Sequence, residues 1–288
     1  MNKNPNYLTR DQLEQFWAEG YLVLKGTLDD KVVKRAREFI LDLIPRDLTI
    51  PDHYHANHGR FKPHHPDGNG SFFNAALLPL LQNDQLYRAA ADILETEYIQ
   101  VWDGSASITM RNRAREGRLQ NLHLDAVPGG DEDLNPRFLS TQIGIGGCYY
   151  LNDVEENGGG IHVVPGAPNM VRDIMLSEPD GLTRNNNWGN IVEFPSSMEV
   201  TGDAGDFVLM HHLMPHAASA NHNSVPRIAQ FTRLHPLADE EALLAPGPDR
   251  SIRIGRDMVT IVGTLDSEAL KALSPLGRRL FRLDPWRE

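Results

Sequence analysis

The feature that most constrains this chain is a change of rhythm near residue 100. Beyond it, short apolar or alternating runs recur at Ser107–Met110, Gln142–Leu151, Gly160–Val164, Ile191–Phe194, Phe207–Met210 and Arg227–Leu234. Turn clusters such as Asn157-Gly158-Gly159-Gly160 and Pro165-Gly166 separate them. Short strands at this spacing predict a sandwich or barrel, not a parallel α/β sheet. The chain before residue 100 reads differently. Thr9-Arg10-Asp11-Gln12 forms a capping-box pattern that opens a helix to about Glu19, and Gly20 suits the position after its end. Tyr21–Leu24 reads as a strand. A second helix is expected from about Leu28 to Leu43, with Val32, Val33, Ala36, Phe39, Ile40 and Leu43 on one stripe, and a third from about Ala75 to Leu94, leading into a strand at Ile99–Trp102. Between them, residues 45–75 are rich in Pro, Gly, Asn and His and read as a long loop, with a lid expected at about 45–73.

These readings combine into one domain over 1–288. A mainly helical part (1–100) carries the lid, a β core spans 100–236, and 237–288 is a C-terminal extension. Hydrophobic residues at 40% and charged residues at 23% are ordinary for a globular protein and exclude a disordered or fibrous chain. The formal charge of −11, from 28 Lys+Arg against 39 Asp+Glu, argues against nucleic acid as a partner. The single cysteine, Cys148, excludes an internal disulfide and a multi-cysteine zinc site. No apolar run approaches the roughly 18 residues that span a membrane. A soluble, cytoplasmic protein, monomeric or homodimeric, is expected.

The chemistry concentrates in two segments. In Asn121-Leu122-His123-Leu124-Asp125, residues two apart on a strand share a face, so His123 and Asp125 can offer an imidazole and a carboxylate to one metal. Alone, a His-X-Asp triplet is weak and reads first as chance. The second segment, Gly205-Asp206 through His211-His212-Leu213-Met214-Pro215-His216, can bring another imidazole from a later strand. Two histidines and a carboxylate leave coordination positions open, the set that suits non-haem Fe(II) and O2. Arg227, eleven residues past His216, opens the next strand. Its planar fork can hold the far carboxylate of a 2-oxo acid bidentately while the keto-acid end chelates the metal.

With these residues in hand, the sequence resembles the phytanoyl-CoA dioxygenase family of Fe(II)/2-oxoglutarate-dependent oxygenases over roughly residues 8–236. The resemblance rests on Leu8-Thr9 through Gly20-Tyr21-Leu22-Val23, on His123 and Asp125, on Tyr150-Leu151-Asn152-Asp153 to Pro165-Gly166, and on Gly205-Asp206, His216, Asn221 and Arg227 in the family's order. It implies a mainly β fold with flanking helices, built on a double-stranded β-helix (jelly roll). It also implies that His123, Asp125 and His216 ligate the iron and that Arg227 clamps 2-oxoglutarate. The sequence departs from the family pattern at Ala167-Pro168 and on the strand before His123, where Met110, Arg111 and Arg113 replace a frequent lysine. Ala218 stands where a hydroxyl residue is common; Ser219 follows directly and is the candidate second contact to 2-oxoglutarate.

Other residues compete for these roles. His211, His212 and His222 are rivals to His216, which the resemblance favours through its register with Gly205-Asp206 and its step to Arg227. His53, His55, His58, His64 and His65 lie in the loop without ligand spacing and read as part of a solvated lid. Arg111, Arg113, Arg115 and Arg118 read as a solvated loop or, more sharply, as a patch drawing an anionic substrate or 2-oxoglutarate to the site. Trp102 and the Tyr149-Tyr150 pair could line a substrate pocket but read first as core, and Cys148 reads as buried packing and not as a nucleophile.

The expected activity is hydroxylation of an unactivated C–H bond of a small molecule, with Fe(II), 2-oxoglutarate and O2, yielding succinate and CO2. Desaturation, demethylation, epimerisation or cyclisation uses the same ligands. Halogenation needs the carboxylate's place vacant, and Asp125 fills it. A non-catalytic ligand-binding jelly roll is the rival from another class.

Overall fold

A computed structural model of the protein describes residues 7–42, 60–61, 74–111, 122–124, 144–177, 192–237, 251–254, 257–260, 265 and 267–287. Helix α1 (Arg10–Glu19) starts as its sequence demands: the Thr9 hydroxyl accepts from the Gln12 N–H, and the Gln12 side chain accepts from the Thr9 N–H. It ends at Gly20, whose φ of 83° is left-handed and whose N–H returns to the Phe16 carbonyl. A Cβ at residue 20 would overlap Pro168 and lie 2.8 Å from Met214 Cε, so the chain needs glycine there for two reasons. Strand β1 (Tyr21–Leu24) and helix α2 (Asp30–Asp42) follow, the helix burying Val33, Ala36 and Ile40.

The helix expected over 75–94 is two helices, α3 (Leu78–Leu81) and α4 (Asp84–Leu94). Asn83 divides them, because its side chain caps Leu86 N–H and donates to the Thr27 carbonyl. Of the expected lid, only Arg60–Phe61 falls within the described residues, as a short strand β2 on the edge of a sheet.

The β core is β3 (Ile99–Thr109), β4 (Ile145–Tyr150), β5 (Ile161–Val163), β6 (Met198–Val200), β7 (Phe207–His211), β8 (His216–Ala218) and β9 (Arg227–Pro236). Two antiparallel sheets result: a large one ordered β1-β7-β4-β9-β3-β2 and a small one ordered β6-β5-β8. The separate strands read at 99–102 and 107–110 are one strand, with a bulge between Val101 and Asp103 absorbing the interruption. No strand forms at the described residues 192–194, and the small sheet uses Met198–Val200 in that region. The turn-like Pro165-Gly166-Ala167-Pro168 instead opens helix α5 (Ala167–Ser177), where proline is tolerated in the first turn.

The alternation of β9 shows how the large sheet is used. Ile228 and Leu234 point into a core shared with α1, α2, α3 and α4. Ala229 and Phe231 point the other way, into a second core with Cys148, Val208, Ile161, Val163 and Val200, so the small sheet packs on that face. Tyr150 ties the sheets together: its hydroxyl donates to the Val200 carbonyl and accepts from Ile161 N–H. Burial holds that phenol well above its ordinary pKa, so it stays a donor. Tyr149 is core on the helix side, its ring 4.5 Å from that of Phe207.

A hairpin β10–β11 (Ser251–Ile254, Asp257–Thr260) and helices α6 (Ser267–Ala272) and α7 (Pro275–Leu280) complete the described elements. Ala269, Leu273, Leu280 and Phe281 join the helix-side core. Among the described residues no helix is long and apolar enough to cross a membrane.

Candidate iron and 2-oxoglutarate site

His123 and His216 meet at an antiparallel bridge. Each donates its N–H to the other's carbonyl, at 3.0 and 3.1 Å, and the imidazole centroids are 4.5 Å apart. Strand β8 carries His216, and its register continues the small sheet as a row Met198, Val163, His216, His123. A third apolar cluster supports the pair: Leu124, next to His123, and Leu213, three residues before His216, are buried with Val171 and Met175 of α5. The helix that the sequence reading missed therefore holds both segments.

His216 is buried, and its Nδ1 lies 2.9 Å from the Met214 carbonyl oxygen. A carbonyl only accepts, so Nδ1 carries the proton and Nε2 carries the lone pair a metal needs. The rival histidines are oriented differently. His211 pairs with Ile145 on the helix-facing side, its Nδ1 accepts from Leu213 N–H, and its ring sits 6.0 Å from those of Phe16 and Trp17. His212 stacks on His211 at 4.7 Å. His222 donates its backbone N–H to the Asn157 carbonyl, beyond the far end of β8. Asp125 lies outside the described residues, as do the loop histidines and Arg113, Arg115 and Arg118. Among the described residues no group of three or more His, Cys, Asp or Glu gathers as a metal site.

Arg227 is 1% exposed, the largest of the fully buried side chains. One terminal nitrogen donates to Thr109 Oγ1 at 2.6 Å, while Nε and the other terminal nitrogen have no hydrogen-bond partner among the described residues. A buried guanidinium left half-bonded is costly unless an anion completes it. Nε and the second terminal nitrogen lie on different edges of the fork, and either edge can still take a carboxylate oxygen. This chain's residues thus fit 2-oxoglutarate at Arg227 and a metal at the histidine pair.

Two residues that sequence reading did not use as ligands position this end. Thr109 is the register partner of Arg227 across β3–β9. Asn221, fully buried, donates to the Thr109 and Val225 carbonyls and accepts from Asn223 N–H, fixing the turn into β9. Gly159 (φ 83°) lets the glycine-rich turn press against both; a Cβ there would lie 3.0 Å from Asn221 Cβ and 3.1 Å from Thr109 Cγ2. The order of Asn221 and Arg227 was legible, but nothing marked Thr109 among other strand threonines.

Ser219 is buried, its hydroxyl 2.9 Å from the Gly160 carbonyl oxygen and 3.3 Å from the Glu199 carboxylate, bridging β8 to β5 and β6. Asp206 accepts from Lys25 and from the N–H groups of Gly26 and Asp203, tying the end of β1 to the start of β7. A cleft of about 860 Å³ outside this site is lined by Lys25, Asp153, His162 and Glu199 among others.

Comparison with known proteins bears directly on this arrangement. The phytanoyl-CoA dioxygenase (PhyH) family model matches residues 16–229, most of the chain. The chain belongs to the phytanoyl-CoA dioxygenase family. It is accordingly an Fe(II)/2-oxoglutarate-dependent oxygenase, with iron and 2-oxoglutarate as its cofactor and co-substrate. A sequence comparison with curated proteins finds no match. Among solved structures, HygX from Streptomyces hygroscopicus, with nickel and 2-oxoglutarate bound, is similar at 17% identity and a TM-score of 0.55, over 81% of this chain and 89% of HygX. The epimerase SnoN, in complex with Fe3+, alpha ketoglutarate and nogalamycin RO, is similar at 16% identity and 0.52, over 79% and 85%. The carbocyclase SnoK from nogalamycin biosynthesis is similar at 16% and 0.51, over 82% and 87%. These likenesses establish the fold, a jelly-roll body with flanking helices.

Proposed function

We propose that this phytanoyl-CoA dioxygenase family member hydroxylates an unactivated C–H bond of a small molecule, coupled to conversion of 2-oxoglutarate to succinate and CO2. The observation that carries this reading is the half-bonded, buried Arg227 on the face that packs against the sheet bearing His216. His123 and His216 would supply two imidazole ligands, and Asp125, two residues past His123, the carboxylate. Iron in such a set supplies the oxidising power that no side chain has.

The chain's own contribution is orientation and exclusion of water. The Met214 carbonyl fixes the His216 tautomer. Thr109 holds one edge of the Arg227 guanidinium so that the rest faces the co-substrate's distal carboxylate. Val163, Ile161, Cys148 and Phe231 belong to one buried apolar cluster on this face, which would keep water away from the bound co-substrate.

HygX has been crystallised with hygromycin B, so this fold accommodates a small-molecule substrate there; we infer a small organic substrate for this chain. The test is succinate release from 2-oxoglutarate with added Fe(II), screened against a panel of amino acids, phosphonates, acyl thioesters and natural-product intermediates. A substrate-stimulated product that gains one oxygen atom supports hydroxylation. A product that loses two hydrogens, or an isomer of the substrate, would point to desaturation or epimerisation instead. A protein that binds ligands yet never releases succinate would be the non-catalytic rival.

A further inference from the structure

We propose that the Thr109 hydroxyl donates a hydrogen bond to the distal carboxylate of 2-oxoglutarate, and that Thr109, not Ser219, is the second contact beside Arg227. This rests on the reading of Arg227 as the clamp of the co-substrate. A count of hydrogens carries it. A threonine hydroxyl has one hydrogen to give and lone pairs with which to accept. Thr109 accepts from an Arg227 terminal nitrogen at 2.6 Å. It is fully buried, and among the described residues its own O–H meets no acceptor. A buried donor without an acceptor is as unfinished as the arginine it touches. A single carboxylate answers both, since each of its oxygens takes more than one hydrogen bond.

The strand geometry holds the hydroxyl to this task. Thr109 and Arg227 are register partners across β3 and β9, so their side chains leave the sheet on the same face. On the flank away from the arginine, the glycine-rich turn presses on the threonine: a Cβ at Gly159 would lie 3.1 Å from Thr109 Cγ2. The methyl is held against that turn, and branching at Cβ leaves the side chain few rotamers. The Thr109 carbonyl accepts from Asn221 Nδ2 at 3.1 Å, which fixes the backbone beneath it. Ser219 fails the same count. Its single hydrogen already has two acceptors, the Gly160 carbonyl oxygen at 2.9 Å and the Glu199 carboxylate at 3.3 Å. A dianion brought to Ser219 would also face that carboxylate, a like charge. Tyr150, which pairs with Ala229, gives its hydrogen to the Val200 carbonyl. Ala218 has no hydroxyl at all. Thr109 thus supplies from β3 the donor that β8 lacks.

The test is the calorimetric affinity of anaerobic, Fe(II)-loaded enzyme for 2-oxoglutarate, beside 2-oxobutanoate, which keeps the keto acid and lacks the distal carboxylate. Thr109→Val keeps the shape and removes the hydroxyl. It should weaken 2-oxoglutarate roughly tenfold or more, the loss typical of a hydrogen bond to a charged group, and leave 2-oxobutanoate nearly unchanged. Thr109→Ser, which restores the hydroxyl, should recover most of the affinity, and Ser219→Ala should leave it unchanged. In an Arg227→Ala background, titrated into the millimolar range, Thr109→Val should still weaken 2-oxoglutarate, because a direct contact does not need the arginine. Unchanged 2-oxoglutarate affinity in Thr109→Val would overturn the proposal, as would a larger loss in Ser219→Ala. An equal loss for 2-oxobutanoate would place the damage at the keto-acid end or in the fold, and overturn it too. A loss that vanishes in the Arg227→Ala background would make Thr109 a positioning residue for Arg227 and no contact, again overturning it. Unchanged 2-oxoglutarate affinity in Arg227→Ala alone would instead overturn the reading of Arg227 as the clamp.

Discussion

The two faces of the large sheet bury different things. On the helix side, Ile228 and Leu234 of β9 join an extensive aliphatic core that reaches from Leu8 to Phe281. On the other side, the same strand offers Arg227, the one buried arginine or lysine among the described residues. Unbonded polar atoms occur on both faces, but their chemistry differs. Among the described residues, the atoms of Tyr149, Gln230 and Thr232 without a partner on the helix side are neutral oxygens, whereas those of Arg227 belong to a fully buried cation; Arg282, whose Nε is also unbonded, is only partly buried. A neutral group without a partner costs a few kcal/mol at most, but an unpaired buried charge costs far more. The fully buried charge on the face toward the small sheet is the one that the proposed anionic co-substrate would complete. A large core on one side lets the fold carry an unfinished charge on the other.

The strongest way to break this comparison is to move the distal ligand from one face to the other. His216→Ala should abolish succinate release and Fe(II) binding while the protein stays folded. His211→Ala, packed beside Phe16 and Trp17, should lower thermal stability and keep activity. The opposite pattern in the two activity assays would show that the faces have been assigned the wrong way round. Arg227→Ala should raise the KM for 2-oxoglutarate by roughly two to three orders of magnitude, from the about 3–5 kcal/mol typical of breaking a buried charge pair. Fe(II) affinity should hold, and Arg227→Lys should recover only part of the loss, lacking the planar fork.

Leu234→Ala sharpens the contrast from the helix side. It should cost about 2–5 kcal/mol in denaturant unfolding and leave the KM for 2-oxoglutarate unchanged. The smallest effect concerns His162, outside both cores. Burial lowers its pKa from 6.5, opposed by Glu199. Its folded pKa is below the unfolded one, so its contribution is complete above about pH 6.5 and declines as the pH falls through that value. His162→Gln should flatten this small acid-side loss in unfolding titrations; an unchanged pH dependence would assign the loss to other groups.

Much of this was written locally. The capping box at Thr9, the left-handed Gly20 and the strand at Tyr21–Leu24 stand where the residues ask for them, because caps and turns are decided by neighbours in sequence. Strand β9 and Arg227 at its head were also legible. What escaped was decided at long range. Strand β8 is three residues, His216–Ala218, with little strand propensity, and exists because Val163 and Ile161 pair with it. Helix α5 hid behind a proline that reads as a turn but tolerates a first helical turn. Spacing alone did not separate His211, His212 and His216; the resemblance pointed to His216, and only the sheets show that His211 pairs with Ile145 while His216 pairs with His123. Trp102-Asp103-Gly104 looked like a break because a bulge and a turn share composition.

The reciprocal hydrogen bonds between His123 and His216 have a consequence for how metal enters and leaves. These residues are 93 positions apart in sequence. Closing a flexible loop of that length costs about 4 kcal/mol of chain entropy. In a zinc finger the ion itself must meet such a cost, which is why chelation unfolds it. Here backbone pairing and the Leu124–Leu213 cluster meet it during folding, so the imidazoles are neighbours before any ion arrives. If these two histidines hold the iron as proposed, a chelator should strip it and fresh Fe(II) should refill the site with no refolding in between.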